Sequence, residues 1–182
     1  MPNQPEPVKW VLESRRLRLR QMRHDDLDVL CAIFSDPIVM RYFPAPWTRD
    51  EVQAAVECNL RRYQEDGFGL WMVVRKDKDV IGDCGLVRQE LPTGSEIEVG
   101  YHFLPDAWGF GYATEAASRC LTHAFDVLKL PRVISLIRPE NGPSRRVAER
   151  NGQTVAEEIE WQGLRHLVYA LKREHWSARR RS

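Results

Sequence analysis

The sequence predicts an α/β fold of the α+β kind, in which helices flank one mixed, mostly antiparallel sheet of about seven strands. Short segments with strand-type alternation follow one another across tight turns in the middle of the chain, which is typical of antiparallel neighbours. Elsewhere, segments with helical periodicity lie between strands, which is typical of crossovers between parallel neighbours. With 182 residues and no internal repeat, the chain has the length of one domain.

The first third of the chain predicts one strand, one helix and an aromatic loop. Residues 17–22 alternate apolar and polar side chains, as a strand does. Asp25 and Asp26 then stand where a helix begins, because apolar residues follow at helical spacing. Residues 36–47 contain three prolines and predict an irregular loop, which carries the aromatic residues Tyr42, Phe43 and Trp47.

A second helix and three strands form the middle of the chain. Thr48 and Glu51 have the spacing of a capping box, so a helix is predicted from there to Gly67. Strands are predicted at residues 70–74, 80–87 and 96–103. The last strand has two different faces: one carries Ile97, Val99, Tyr101 and Phe103, and the other carries Glu96, Glu98, Gly100 and His102.

The remaining elements alternate between helix and strand. A helix is predicted from Ala113 to about Lys129, and a strand at residues 133–137. Pro143 is a good first helical residue and Gly152 a good stop for the next helix. Strands at residues 155–161 and 167–171 close the sheet. Their order suggests further parallel neighbours.

Composition excludes several classes of function. A formal net charge of +1 argues against a dedicated nucleic-acid binder. The four cysteines form no Cys-x-x-Cys pair and the histidines have no zinc-like spacing, so we expect no metal. No apolar run approaches the ~18 residues of a membrane span. A cytoplasmic protein that does not enter the membrane is therefore expected.

We divide the chain into three parts. Residues 1–9 are polar and proline-rich and are expected to be a disordered lead-in. Residues 10–176 form the single domain. Residues 177–182 are a basic tail, in which Arg179, Arg180 and Arg181 are either a solvated terminus or a contact for RNA.

One short loop has the composition of a phosphate site. A strand ends near Phe103, Gly109 and Gly111 follow, and a helix begins near Ala113. Backbone N–H groups at a helix N-terminus attract anionic phosphate, and glycines allow close approach of the backbone. A tight turn before a helix would look the same. The dinucleotide-binding fingerprint is disfavoured, because its third glycine is missing and the preceding strands are antiparallel.

The segments Glu98–Tyr101 and Trp108–Ala116, with Pro105 between them, resemble the GNAT superfamily of N-acetyltransferases. They resemble most the branch that includes the ribosomal-protein acetyltransferases RimJ and RimL. Gly111 and Ala113 match the family's cofactor loop, in which Trp108 takes the first position. Downstream, Asn141 and Ser144 match its Asn-x-x-Ser pattern, and Arg150-Asn151-Gly152 matches its helix end. The resemblance covers about residues 10 to 172.

The resemblance implies how the donor, acetyl-CoA, is bound. Two central strands splay apart after the strand that ends near Phe103, and the pantetheine arm lies between them. The pyrophosphate lies on the Gly111 loop, and no metal takes part. The implied cofactor-binding residues are Tyr101, Phe103, Leu104, Trp108, Gly109, Phe110, Gly111, Tyr112, Ala113, Thr114, Asn141 and Ser144.

The chemistry needs a base for the attacking amine and stabilisation of the oxyanion. The resemblance implies that backbone N–H groups of residues 99–101 serve the oxyanion. Glu98 is the first candidate base; Glu96 and His102 lie on the same face and are rivals. The tyrosine acid of many relatives is missing, since Ala148 stands there, and Ser144 is the candidate that protonates the thiolate. Each residue also has a purely structural interpretation: Glu98 as a solvent-facing strand residue, Ser144 as a first-turn helix residue, and Asn141 as a cap.

The expected function is transfer of an acetyl group from acetyl-CoA to a primary amine, by direct attack in a ternary complex. The acceptor is a protein N-terminus or a small-molecule amine, and the aromatic loop either lines its site or is packed cover. The alternative is a catalytically silent CoA-binding sensor. A homodimer is possible from the resemblance alone, and a membrane or nucleic-acid partner is not expected.

Overall fold

The computed structural model describes residues 8–76 and 78–179. The strands are β1 (Trp10–Glu13), β2 (Leu17–Gln21), β3 (Leu70–Arg75), β4 (Val80–Leu91), β5 (Gly94–Phe103), β6 (Arg132–Ile137), β7 (Thr154–Trp161) and β8 (Leu164–Lys172). The helices are α1 (Leu27–Phe34), α2 (Arg49–Glu65), α3 (Tyr112–Thr122), α4 (Gly142–Arg150) and α5 (Arg173–Arg179). A π-helical turn at His123–Val127 extends α3, so the predicted end near Lys129 holds.

One sheet contains these strands in the order β1-β2-β3-β4-β5-β6-β8-β7. All neighbours are antiparallel except β5 and β6, which confirms the predicted mixed, mostly antiparallel sheet. The described strands number eight, one more than the sequence predicted, because β1 was missed. With only four residues, β1 is too short for a clear alternation.

The prediction of further parallel neighbours was wrong for the last strands. β8 lies between β6 and β7 and is antiparallel to both. β7 and β8 form a hairpin through Gln162 and Gly163, and the second arm of that hairpin is the one that reaches β6. The helix α4 connects β6 to β7 along the chain, but β6 and β7 are not neighbours in the sheet.

The C-terminal segment begins as a helix. α5 includes residues 177–179, which the sequence assigned to a basic tail. Trp176 anchors α5, since it is buried and its ring lies 5.8 Å from that of Phe125. Arg180 and Arg181, like residues 1–7 of the expected lead-in, lie outside the described residues.

The sheet opens between its two parallel strands. β4 and β5 are paired over ten residues, and β6 and β8 over six. β5 and β6 share one pair, Glu98 with Ile134. Beyond that pair the two strands have no further registered pairs, so the backbone ladder between them is interrupted and leaves a gap, as the resemblance implied.

The two faces of β5 contact different helices. On one face, the Tyr101 hydroxyl donates to the Ser144 carbonyl in α4, at 3.1 Å. On the other face, His102 lines a cavity together with residues of α1 and α2. The alternation that the sequence predicted for this strand therefore separates two environments on either side of the gap.

The capping box predicted for α2 is present, and it sets the start of the helix that walls this cavity. Glu51 N–H donates to Thr48 Oγ1 at 3.3 Å, and Thr48 N–H donates to Glu51 Oε2 at 2.7 Å. Thr48→Ala removes one partner of this pair, so we expect the free energy of unfolding in urea to fall by about 1 kcal/mol. The control is Thr93→Ala in the exposed β4–β5 turn. Equal losses in both variants would contradict the role of the cap.

Candidate active site

Side chains occupy the point at which β5 and β6 separate. Leu136 N–H donates to Glu98 Oε1 at 3.0 Å, so this strand amide bonds a side chain where a closed ladder would offer a carbonyl. Ser135 Oγ donates to the Val99 carbonyl at 3.1 Å. Glu98 Oε2 accepts from Gln89 Nε2 at 2.6 Å. These hydrogen bonds hold β5 and β6 together at the point where they separate, and they leave the rest of the gap open.

The glycine loop leads from β5 to α3 with two left-handed residues. Gly109 has φ = 83° and Gly111 has φ = 79°, a region that strongly favours glycine. No described side chain caps α3, and its first hydrogen bond runs from Glu115 N–H to the Gly111 carbonyl. The N–H groups of residues 112–114 are therefore available to an anion, and the helix dipole attracts one.

A cavity of about 490 Å³ lies beside this loop. Its lining includes Gly111, Thr114, Ser118, Arg119, Arg150 and Asn151, together with Ser14 and the carboxylate of Glu115. Thr114 Oγ1 is buried and has no hydrogen-bond partner within the described chain. An unpaired buried hydroxyl beside free helix amides and two arginines fits a phosphate-bearing ligand.

Arg16 and Glu115 tie the loop to the β1–β2 turn. Glu115 accepts hydrogen bonds from Ser14 Oγ and from the Arg16 backbone and side chain, at 2.7 to 2.8 Å. Arg16 also donates to the Phe110 carbonyl at 2.9 Å and lies over the Tyr112 ring, 4.7 Å from its centroid. This clamp holds the two residues that flank Gly111. Sequence reasoning missed it, because Arg16 is 99 positions away from its partner.

The other predicted cofactor residues fall into two groups. Gly109, Phe110, Tyr112 and Ala113 lie in or directly after the loop, while Phe103 and Leu104 lie at the end of β5. Trp108 joins the groups, because its indole N–H donates to the Phe103 carbonyl at 2.9 Å. Phe110 is the most exposed aromatic residue of the loop, at 61%. The structure thus brings these residues to one end of the gap.

Asn141 and Ser144 lie at the start of α4, and the Tyr101 side chain reaches them from β5. Asn141 caps α4, since its Oδ1 accepts from Ser144 N–H at 3.1 Å. Tyr101 is bonded to the Ser144 carbonyl, and burial raises the pKa of the Tyr101 hydroxyl. The Ser144 hydroxyl has no hydrogen bond within the described residues and is half-buried. The cap role of Asn141 is therefore present, and its amide nitrogen is left for a ligand.

The three candidate bases are in different surroundings. Glu96 forms an ion pair with Arg132 at 3.3 Å. Burial raises the pKa of Glu98, although both its oxygens already accept hydrogen bonds. His102 Nδ1 lies 2.9 Å from Asp83 Oδ1. Sequence reasoning missed Asp83; a charged residue in the middle of an apolar strand was the signal that would have found it.

The aromatic loop contacts this same face. The Phe43 ring lies 5.8 Å from that of His102, and Trp47 stacks on Phe34 at 4.8 Å. Arg41 lies over the rings of both Tyr42 and Trp108, at 4.8 and 5.8 Å. The loop therefore spans the distance between the glycine loop and His102.

Within the described residues, no three His, Cys, Asp or Glu side chains are grouped to hold a metal ion. Among the same residues, no helix is long and apolar enough to cross a membrane. The four cysteines are free thiols, and burial raises the pKa of Cys84 well above its ordinary value. Cys84 is therefore not a ready nucleophile.

Comparison with known proteins gives the family. The acetyltransferase (GNAT) domain model matches residues 16–154, so the chain belongs to this family of acetyltransferases. The uncharacterized N-acetyltransferase p20 of Bacillus licheniformis is 35% identical over 139 residues, which cover 73% of this chain and 76% of the relative.

Solved structures agree with this assignment. A GNAT-family acetyltransferase of Bacillus anthracis is 26% identical with a TM-score of 0.75, covering 90% of this chain and 98% of that one. RimL, a ribosomal alpha-N-protein acetyltransferase solved in complex with coenzyme A, is 16% identical with a TM-score of 0.73, covering 92% and 99%. At that identity, the likeness to RimL shows the fold alone.

The hydrogen bonds that Glu115 accepts predict that the free energy of unfolding falls at acid pH. Burial alone would raise the pKa of Glu115, but the hydrogen bonds from Ser14 and Arg16 outweigh it, and the net shift is downward from 4.5. A carboxylate with a lowered folded pKa stabilises the fold above its unfolded pKa, and this stability is lost as the pH falls through the folded value. We expect Glu115→Gln to be less stable than wild type at neutral pH in urea unfolding.

The difference should begin to shrink below about pH 4.5 and should close once the pH lies below the lowered folded pKa of Glu115. Glu160→Gln, an exposed carboxylate change on β7, is the control and should show no such closing gap. A Glu115→Gln deficit that stays constant through the acid range would mean that the clamp does not depend on ionised Glu115.

Proposed function

We propose that this protein transfers an acetyl group from acetyl-CoA to a primary amine, by direct attack in a ternary complex. The observation that supports it most is the pairing of two features: β5 and β6 share one registered pair, and an uncapped helix with a glycine loop begins beside their gap. Strand edges that lack a partner can hydrogen-bond an extended amide-bearing arm, while the helix N-terminus takes its phosphates.

The gap has the polarity that acetyl-CoA requires. Gly111 φ = 79°, the free amides of residues 112–114 and the unpaired Thr114 hydroxyl favour the pyrophosphate. Arg119 and Arg150, which line the same cavity, add positive charge for the nucleotide end. The backbone groups of β5 beyond Glu98 that face the gap and do not bond β4, Ser135 or Trp108 are proposed to serve the pantetheine arm and the oxyanion, as the resemblance implied for residues 99–104.

The acceptor is either a protein N-terminus or a small-molecule amine. The fold likeness to RimL, whose name describes action on a ribosomal protein, favours the RimJ/RimL-like branch as a hypothesis. The homodimer and the cytoplasmic location expected from the sequence stay predictions. Thiol release from acetyl-CoA, measured over a panel of peptides and small amines, tests the activity. Tight CoA binding without any turnover would support the silent sensor module instead.

Gly111→Val should abolish acetyl-CoA binding. The left-handed backbone at Gly111 costs a β-branched residue about 1–3 kcal/mol. A Cβ there would also lie 3.7 Å from Arg16 Nη2, so the methyl groups beyond it crowd the clamp that shapes the loop. Isothermal titration with CoA measures the affinity. Gly163→Val is the matched control, since Gly163 has φ = 71° in the distant β7–β8 turn. Unchanged affinity in Gly111→Val would contradict the assignment of the loop.

Ser144→Ala should slow thiol release, because the half-buried Ser144 hydroxyl is left free to protonate the departing thiolate. The loss should be smaller than the ~100-fold of a full general acid, because a thiol with a pKa of about 8.5 leaves readily. Ser144→Thr keeps the hydroxyl and should keep the rate. An Ala variant as fast as wild type would leave Ser144 as a first-turn residue of α4.

A further inference from the structure

A buried aspartate and a histidine face each other on the side of β5 that is turned away from α4. Asp83 on β4 and His102 on β5 are registered neighbours, and His102 Nδ1 lies 2.9 Å from Asp83 Oδ1. The Asp83 side chain is fully buried, whereas 20% of the His102 side chain is exposed. A buried carboxylate needs a partner, so this contact holds the imidazole ring in one orientation.

The contact also decides which ring nitrogen is free. A carboxylate only accepts hydrogen bonds, so neutral His102 carries its hydrogen on Nδ1 and its lone pair on Nε2. No described residue hydrogen-bonds Nε2. The second oxygen of Asp83 is likewise buried without a partner within the described chain, so His102 is the group that Asp83 polarises.

His102 lies in the wall of a cavity of about 190 Å³. The lining is mainly apolar and includes Leu30, Phe34, Trp47, Val52, Val56 and Leu70. The Phe34 ring lies 4.7 Å from the His102 ring, and Phe43 lies 5.8 Å from it on the aromatic loop. The cavity is smaller than the ~300 Å³ of drug-sized pockets, so it takes a short apolar or aromatic group.

The cavity reaches the strand that borders the gap. Gly100 lies between Glu98 and His102 on the same face of β5. A Cβ built on Gly100 would meet only Leu70 Cδ2, at 3.8 Å, and Leu70 lines this cavity. The backbone over which an acyl group is expected is therefore open toward His102, whereas Glu98 already accepts two hydrogen bonds.

We propose that His102, held by Asp83, accepts the proton of the attacking amine, and that the acceptor is a small primary amine whose apolar or aromatic substituent fills this cavity. This inference rests on the proposed function and adds to it a catalytic residue and a class of acceptor.

The step balances without a further reactant. The amine lone pair forms the C–N bond at the thioester carbon, and the carbonyl π electrons move onto oxygen. The proton lost by the amine goes to His102 Nε2. As the C=O bond re-forms, the C–S bond breaks and the sulfur leaves as a thiolate. The thiolate takes one proton from Ser144 or solvent, and His102 returns the proton of the amine to solvent, so the net transfer is one proton from nitrogen to sulfur.

The charges around His102 favour this role. Burial by itself lowers the pKa of His102, but Asp83 and Glu98 outweigh it, and the net shift is upward from 6.5. Arg62 of α2 lines the same cavity as the opposing cation, while α1 and the aromatic loop present the uncharged Phe34 and Phe43. The base form therefore accumulates above pH 6.5, and the rate should rise with pH through an acid limb above that value.

The test combines steady-state thiol release with CoA titration in the full chain. The probes are acetyl-CoA with 2-phenylethylamine, spermidine and a serine-initiated peptide. We expect 2-phenylethylamine to be the best acceptor and His102→Gln to lower kcat by about 100-fold or more, with unchanged CoA affinity. The control is His166→Gln, a buried histidine on β8 whose ring Nδ1 lies 2.9 Å from the Leu164 carbonyl oxygen.

The pH profile separates a proton acceptor from a structural histidine. His102→Gln should lose the acid limb, and Asp83→Asn should move it to lower pH, because the neutral amide no longer raises the pKa of His102. NMR titration of the His102 ring in both wild type and Asp83→Asn checks this shift without turnover. Ionisation of the amine is common to all variants, so it cannot produce these differences.

Other outcomes overturn the inference. If His102→Gln kept the acid limb of the wild-type pH–rate profile, a group other than His102 would accept the proton. Loss of that acid limb in Glu98→Gln would likewise assign the proton to another group. Preference for spermidine or the peptide would overturn the class of acceptor. Failure of wild type to bind CoA at all would instead overturn the proposed function, so the two failures are distinguishable.

Discussion

The hydrogen bond from Leu136 N–H to the Glu98 carboxylate is the contact on which the site depends. A parallel neighbour would normally supply a backbone carbonyl at this position, and the ladder would continue. Here the side chain satisfies the amide at 3.0 Å while the strands separate. The separation exposes the edges of β5 and β6 next to the glycine loop, and a closed ladder would leave no room for an extended ligand. A buried amide without that partner would cost about 1–3 kcal/mol.

The two faces of β5 carry side chains with different roles in the site. Tyr101 faces α4, where its hydroxyl bonds the Ser144 carbonyl and fixes the distance across the gap. His102 faces the opposite way, into a mainly apolar cavity whose lining also includes the buried Asp83. A donor held along the gap and an acceptor held in the cavity would meet over Gly100, which carries no side chain and lies between Glu98 and His102 on this face. Because a strand alternates, a change of one residue in register would exchange these two environments.

The sequence was sufficient wherever local chemistry decides the outcome. The alternation of residues 96–103, the capping box of Thr48 and the glycine loop before a helix are local features, and the structure has all three. The order of β7 and β8 depends on which hairpin arm finds β6, which is a long-range packing choice. The Arg16–Glu115 clamp joins residues 99 positions apart, which only the folded sheet brings together. Asp83 and His102 lie opposite each other in the β4–β5 hairpin, so the turn at residues 92–93 sets their register, although Asp83 was missed in the sequence.

The most direct measurement is a crystal structure of the protein with CoA bound. We expect the pyrophosphate oxygens to lie within hydrogen-bond distance of the N–H groups of residues 112–114 and of Thr114 Oγ1, with the pantetheine arm between β5 and β6. Glu98 should still accept from Leu136 N–H, since the gap exists before the ligand arrives. A CoA molecule bound elsewhere, or β5 and β6 paired along their whole length, would contradict the account.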